Sequence, residues 1–379
     1  MRLPIIDGHN DSLGHLAPFT PESVQDFFVR HTERHIDLPR AREGGLGASF
    51  FSVFVSAPRT GAESKPVPTP DADRGTKTAI DAGRSTDAAQ DPARGTETGK
   101  PSRPPLADPV DPSYALQAAT AMVAGLFRLE AASAGQVKVV RTVGELDACL
   151  ESDVLAAILH FEGAEPIDAN LDSLEVFYKA GLRSLGIVWS RPNVFGQGVP
   201  FLRGHSPDIG PGLTDAGKAL VRACNQLGIM IDVSHLNEKG FWDVARITEA
   251  PIVATHSCVH ALCPVPRNLT DKQLDAIRES DGMVGVNFSV SFLSEEGDED
   301  RDTLDPLIRH IDYLVERLGI DRVGLGSDFD GTRIPAAIGD VTGLPRMIEA
   351  LRKRGYGEES LNKITNTNWR RVLEHTWRA

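Results

Sequence analysis

Eight short apolar runs, alternating with amphipathic helical stretches, constrain the fold of this chain more than any other feature. The runs span residues 3–7, 48–55, 154–161, 183–189, 229–233, 252–255, 283–288 and 322–326. Helical patterns occupy 215–227, 238–248, 271–279 and 306–318, and Thr214, Asn237 and Thr270 stand where caps are expected. Regular strand–helix alternation of this kind predicts an α/β fold with a closed parallel sheet, a (β/α)₈ TIM barrel. The length of 379 residues suits one such barrel, with 1–379 as a single domain and 41% apolar residues to build its core.

One stretch breaks the alternation. From Pro58 to Pro112 the chain has no Phe, Trp, Tyr, Met or Cys and is rich in Pro, Gly, Ala, Ser, Thr, Asp and Arg. Such a composition buries too little apolar surface to offset the entropy of ordering it. It is expected to be a flexible insertion after the second strand, tolerated at the surface or acting as a lid.

A TIM barrel builds its active site from the C-terminal ends of its strands and the loops that follow. Polar residues gather just past the apolar runs. His9 and Asp11 lie in Asp7-Gly-His-Asn-Asp11, Glu162 in Leu159-His-Phe-Glu-Gly163, His235 in Ile231-Asp-Val-Ser-His235, His256 in Val253-Ala-Thr-His256 and Asp328 in Gly324-Leu-Gly-Ser-Asp328. A spacing of two in extended backbone points His9 and Asp11 the same way, so both can reach one ion. A carboxylate ending an apolar strand, as Glu162 does, needs an ion, a partner or hydrogen bonds, because an isolated buried charge is costly. His160 is read as a supporting or core histidine, Asp330 as a turn former and Cys258 as a reduced thiol. Three imidazoles and three carboxylates suit a two-metal site, with zinc favoured by the mixed nitrogen and oxygen donors.

In order and content these blocks resemble the renal (membrane) dipeptidase family of zinc metallopeptidases. That family carries Asp-Gly-His-Asn-Asp, a Glu-Gly, an Asp-x-Ser-His, a Ser/Thr-His-Ser, an Arg-Asn-x-x-Asp and a Gly-Ser-Asp-Phe-Asp-Gly. Here they read Asp7–Asp11, Glu162-Gly163, Asp232–His235, Thr255–Ser257, Arg267–Asp271 and Gly326–Gly331. The resemblance implies two Zn²⁺, one bound by His9 and Asp11 and the other by His235 and His256, with Glu162 bridging. It implies Asp328 as the catalytic proton carrier and Arg267 as the partner of a dipeptide's C-terminal carboxylate. It also implies small dipeptide substrates, tolerance of a D-residue at the C-terminal side, and a homodimer.

The resemblance departs at one block. After the fourth strand the family has Arg-Tyr-Leu-Thr-Leu-Thr-His, whose histidine polarises the scissile carbonyl. This chain has Arg183-Ser-Leu-Gly-Ile-Val-Trp189, which puts an indole at that position. Either zinc polarises the carbonyl alone, or Trp189, Arg191 or Asn193 substitutes, and Trp189 and Asn193 enter as substrate-binding candidates. Hydrolysis of an N-acyl amino acid, lactone or cyclic amide, or an inactive metal-binding scaffold, are the alternatives to dipeptide hydrolysis. A net charge of −13 argues against a nucleic-acid partner. With no signal-peptide pattern, no membrane-spanning apolar run and four cysteines without framework spacing, a cytoplasmic protein without membrane association is expected.

Overall fold

The computed structural model describes residues 4–58, 106–295 and 303–378. Most of the expected insertion, 59–105, lies outside the described residues, as does Leu3 at the start of the first expected strand. The insertion ends a little earlier than its composition suggested. Asp111 accepts a hydrogen bond from the Tyr114 N–H and Pro112 occupies the first turn of a long helix, Pro112–Ala132.

Among the described residues nine parallel strands follow in order: β1 (Ile5–Asn10), β2 (Leu46–Phe54), β3 (Val137–Val139), β4 (Leu155–Glu162), β5 (Leu182–Gly186), β6 (Met230–Asp232), β7 (Val253–Ser257), β8 (Met283–Val286) and β9 (Val323–Leu325). Their spatial order is β2-β1-β9-β8-β7-β6-β5-β4, and β2 pairs with β4 to close the ring. Ala48 through Phe54 run in continuous register with Ala156 through Glu162 along that seam. These eight strands form the (β/α)₈ barrel, each of the eight expected runs supplying one. β3 lies outside the ring against Leu155–Ala157 of β4. Three residues are too few for a period of two to stand out in sequence.

The caps behave as the sequence suggested. Thr214 and Asn237 accept from the Gly217 and Gly240 N–H groups, and Thr270 donates to Gln273 Oε1. The fourth expected run is shorter than read: β5 ends at Gly186, and Trp189 lies in the loop beyond. There Ala164 N–H and the Asn193 side chain both donate to the Ile187 carbonyl, so Ile187 belongs to the loop network instead of the ladder. Conversely, Glu162 is the last residue of β4 and not a residue after it.

The C-terminal helix Asn368–Thr376 closes the floor of the barrel. Trp369 is fully buried and donates its indole N–H to the Leu325 carbonyl at 3.0 Å. Gly8, Gly285 and Gly324 make room for its ring; a Cβ on any of them would come within 2.4, 2.9 and 2.8 Å of it. Ile6, Phe50, Ile158, Met230, Val253 and Met283 pack in the same cluster. A barrel filled in this way is a core and not a pore, which leaves the opposite, C-terminal mouth for chemistry. No described helix is long and apolar enough to cross a membrane.

Candidate metal centre

Glu162 stands at the middle of the mouth. Its Oε2 lies 3.4 Å from His9 Nε2, and its Oε1 lies 3.0 Å from His235 Nε2 and 3.5 Å from His256 Nε2. One carboxylate oxygen thus faces His9 and the other faces His235 and His256, while the His9 and His256 rings stack with centroids 3.8 Å apart. His9 Nε2 is 3.6 Å from Asp11 Oδ2, and the two side chains share a face as their spacing requires. Asn10, between them, turns away and ties β1 to β2 through Ser49 Oγ and the Phe50 carbonyl.

His235 and Asp328 both adopt left-handed backbone, with φ of 65° and 62°. Each costs a non-glycine residue on the order of 1 kcal/mol or more, a strain that concentrates at functional sites. It turns the two side chains back over the barrel axis. Asp328 N–H donates to the His9 carbonyl, and Asp11 N–H to that of Phe329, which laces the ends of β1 and β9 together. Asp328, Asp11 and His9 offer ligand atoms within 4.8 Å of one another, and so do His9, Glu162 and His256. All six candidates meet in one place.

The tautomer of His256 follows from its neighbours. The Thr255 hydroxyl has one hydrogen, and Asp232 Oδ2, a carboxylate acceptor, takes it at 2.6 Å. His256 Nδ1, 2.7 Å from the same hydroxyl oxygen, must then be the donor. Nε2 is left with its lone pair facing the centre, as metal ligation requires. Ser190 Oγ holds His235 by Nδ1 at 2.8 Å, which directs Nε2 inward in the same way.

The electrostatics call for a cation. Burial holds His235 and His256 well below the usual histidine range, hence neutral. Burial, with Asp11 and Asp328 nearby, raises Glu162 to about 7, and Asp328 is raised as well. Burial opposes charge on His9, yet the Glu162 and Asp11 carboxylates outweigh it and raise its pKa. The facing Nε2 atoms of His235 and His256 are only 3.2 Å apart. Both ring nitrogens of His9 and Asp11 Oδ1 are buried without a hydrogen-bond partner. Crowded, inward-aimed donors with orphaned atoms fit divalent metal, and their nitrogen and oxygen chemistry suits zinc, manganese or cobalt.

Arg267 is buried beside the centre. Its two terminal nitrogens donate to Ser257 Oγ (3.0 Å) and the His256 carbonyl (2.8 Å), while Nε has no partner. Trp189 is half-buried and packs between Phe54 and Phe201, with its ring centroid 5.9 Å from that of His235. Asn193 is engaged within its own loop: Oδ1 accepts from the Phe195 and Gly196 N–H groups while its amide holds Ile187. Arg191 is paired with Glu165 and the Val55 carbonyl. His160 bonds Ser184 and is held neutral by burial, its pKa down to about 3. The Cys258 thiol donates to the Asn287 carbonyl and belongs to neither of the candidate ligand groups found among the described residues. Asp330 is more than a turn former. It accepts from Ser12 Oγ and the His35 N–H, clamping the loop after β9 to the chain after β1.

Three supporting residues were not singled out from the sequence. Asp7 accepts from Ser327 and Ser49, joining β1, β9 and β2. Asp232 accepts from Ser234 and Thr255, joining β6 and β7. Asn287 donates to Asp328. A carboxylate two or three residues before a candidate ligand, in or at the end of an apolar run, was the available signal for the first two. Asn287 carried none.

The model of the membrane dipeptidase family (peptidase family M19) matches residues 1–378. A Klebsiella pneumoniae protein from the pqqA 5′ region is 51% identical, over 66% of this chain and 93% of its own. A metallopeptidase from Rhodobacter sphaeroides, solved with a phosphinate mimic of the dipeptide L-Ala-D-Ala, superposes with a TM-score of 0.86 at 46% identity and full coverage of both chains. A second structure, a dipeptidase of the same family, gives a TM-score of 0.86 at 44% identity, again over both whole chains. The chain belongs to the membrane dipeptidase family, peptidase family M19, a family of metal-dependent dipeptidases.

Proposed function

We propose that this enzyme hydrolyses small dipeptides, L-Xaa-D-Xaa among them, with two zinc ions held by His9, Asp11, Glu162, His235 and His256. The observation that carries this reading is the Glu162 carboxylate, one oxygen of which faces His9 and the other the His235–His256 pair. When bound, such a pair supplies Lewis acidity and a water that ionises near neutral pH. Asp328, within reach of His9 and Asp11, takes the proton of the attacking water at a carboxylate oxygen and passes it to the leaving amine. Arg267 binds the C-terminal carboxylate of the dipeptide, and its unpartnered Nε–H is the spare donor. Trp189 lines the pocket wall beside His235, and Asn193 shapes the loop that carries it. The Rhodobacter relative's complex with an L-Ala-D-Ala mimic supports the substrate class. Four free, buried cysteines agree with a cytoplasmic setting.

The test is a panel of L-Xaa-L-Xaa and L-Xaa-D-Xaa dipeptides, C-terminally amidated controls and N-acyl amino acids, assayed with zinc and with chelator. Metal-dependent cleavage of free dipeptides above about 10⁴ M⁻¹s⁻¹ is expected, since working enzymes reach that range. Selective cleavage of N-acyl amino acids would favour the second reading, which Trp189 motivates because an indole cannot carry the positive charge of an imidazolium.

A further inference from the structure

Asn287 is the first residue beyond β8, fully buried, and it touches three elements of the mouth at once. Its side-chain Nδ2 donates to Asp328 Oδ2 at 2.9 Å and to the His256 carbonyl at 3.3 Å. Its Oδ1 accepts the Ser289 N–H at 2.6 Å. That last bond settles the orientation of the amide, because a backbone N–H can only donate. The NH₂ end therefore faces the carboxylate.

Asp328 needs such a restraint. Its left-handed backbone sets where the side chain leaves the chain, but rotation of a terminal carboxylate is broad and soft. With Oδ2 held by Asn287, the other oxygen, Oδ1, lies on the side of Gly331. A Cβ on Gly331 would stand 2.5 Å from it and 2.0 Å from Asp11 Oδ2. The free oxygen is thus directed toward the His9–Asp11 side of the centre. The carbonyl of His256 that takes Asn287 also takes Arg267. The proton carrier and the residue proposed to hold the substrate carboxylate are both referenced to one oxygen on β7.

We infer that Asn287 is the positioning residue that aims Asp328 and fixes its distance from Arg267. The inference rests on the reading of Asp328 as proton carrier. It predicts a defect in turnover and not in binding. Asn287→Ala should lower kcat about 10- to 100-fold, the usual range for groups that orient a reacting residue, with KM and zinc content near those of the parent and a melting temperature lowered by a few degrees at most, as the loss of buried hydrogen bonds requires. Asn287→Asp keeps the shape and the bond to Ser289 but replaces the donor with an acceptor, and kcat should fall at least as far.

A double-mutant cycle separates positioning from general damage. With Asp328→Asn already in place there is nothing left to aim, so adding Asn287→Ala should change the residual kcat by less than about threefold. Independent, multiplying losses would overturn the inference. So would parental kcat in both single variants, or loss of zinc in both. An active Asp328→Asn enzyme would instead overturn the role of Asp328 itself, a different failure that the same series identifies.

Discussion

The two ends of the barrel are built on opposite principles. At the floor, Trp369 fills a socket formed by Gly8, Gly285 and Gly324, and its one polar atom is bonded to Leu325. At the mouth, three carboxylates and three imidazoles face one another, His9 lacks any hydrogen-bond partner for its ring, and two key residues have left-handed backbone. The floor spends its residues on close packing, which stabilises the fold. The mouth holds groups that are unfavourable until a cation joins them. The same eight strands serve both ends, so stability and chemistry can be altered separately.

That separation can be broken experimentally, most severely at the mouth. Asp328→Asn should reduce kcat by about 10²- to 10⁴-fold, the usual worth of a positioned proton carrier, while metal per chain, read by elemental analysis, stays unchanged. Lost metal would make Asp328 a ligand first and a proton carrier second. At the floor, Trp369→Ala should cost about 3–5 kcal/mol in urea unfolding, as large buried aromatics do, with the kcat of the folded fraction retained. A loss of turnover beyond the loss of folded protein would show that the two ends are coupled.

His310 tests the ground between them. It accepts from the Val259 N–H and donates to the Leu293 carbonyl, and burial, against that second bond, lowers its pKa from 6.5 to about 4. A depressed folded pKa means that the unfolded chain binds the proton more readily. The stabilisation is then fully present above pH 6.5 and is lost as pH falls toward 4, by up to about 3 kcal/mol. His310→Gln lacks this titration, so the stability gap between parent and variant should narrow over that window. A constant gap would mean that His310 is already protonated in the fold. The smallest effect concerns the mouth without metal. In chelated protein, Asp328→Asn relieves burial of a charge and its repulsion from Asp11, which together outweigh the attraction of His9 and Arg267, and should raise the unfolding midpoint slightly. Chelated variant and parent with equal unfolding midpoints would show that the carboxylates do not strain the empty centre.

The barrel was legible because its apolar runs and helical stretches are local signals, and a closed ring is what eight such alternations build. The candidate ligands stand out in the sequence because each lies at or just past the end of an apolar run, where a polar group has few reasons to be. β3 was missed because three residues carry too little pattern, and β5 was read too long because Ile187 and Val188 are apolar but belong to a loop that packs inward. Asn193 offered an amide to a substrate in sequence; in the fold its loop consumes that amide.

By itself, then, the sequence determined the alternation, the residue types at the strand ends and their order. Only the tertiary structure decided that one oxygen of Glu162 faces His9 and the other the His235–His256 pair, that Thr255 and Asp232 set the His256 tautomer, that Asn287 meets Asp328 and that Trp369 fits beneath them all. The physical reason is range. A strand's period states which way a side chain faces, but partners 41 residues apart, as Asn287 and Asp328 are, meet only once the ring has closed and its register is set.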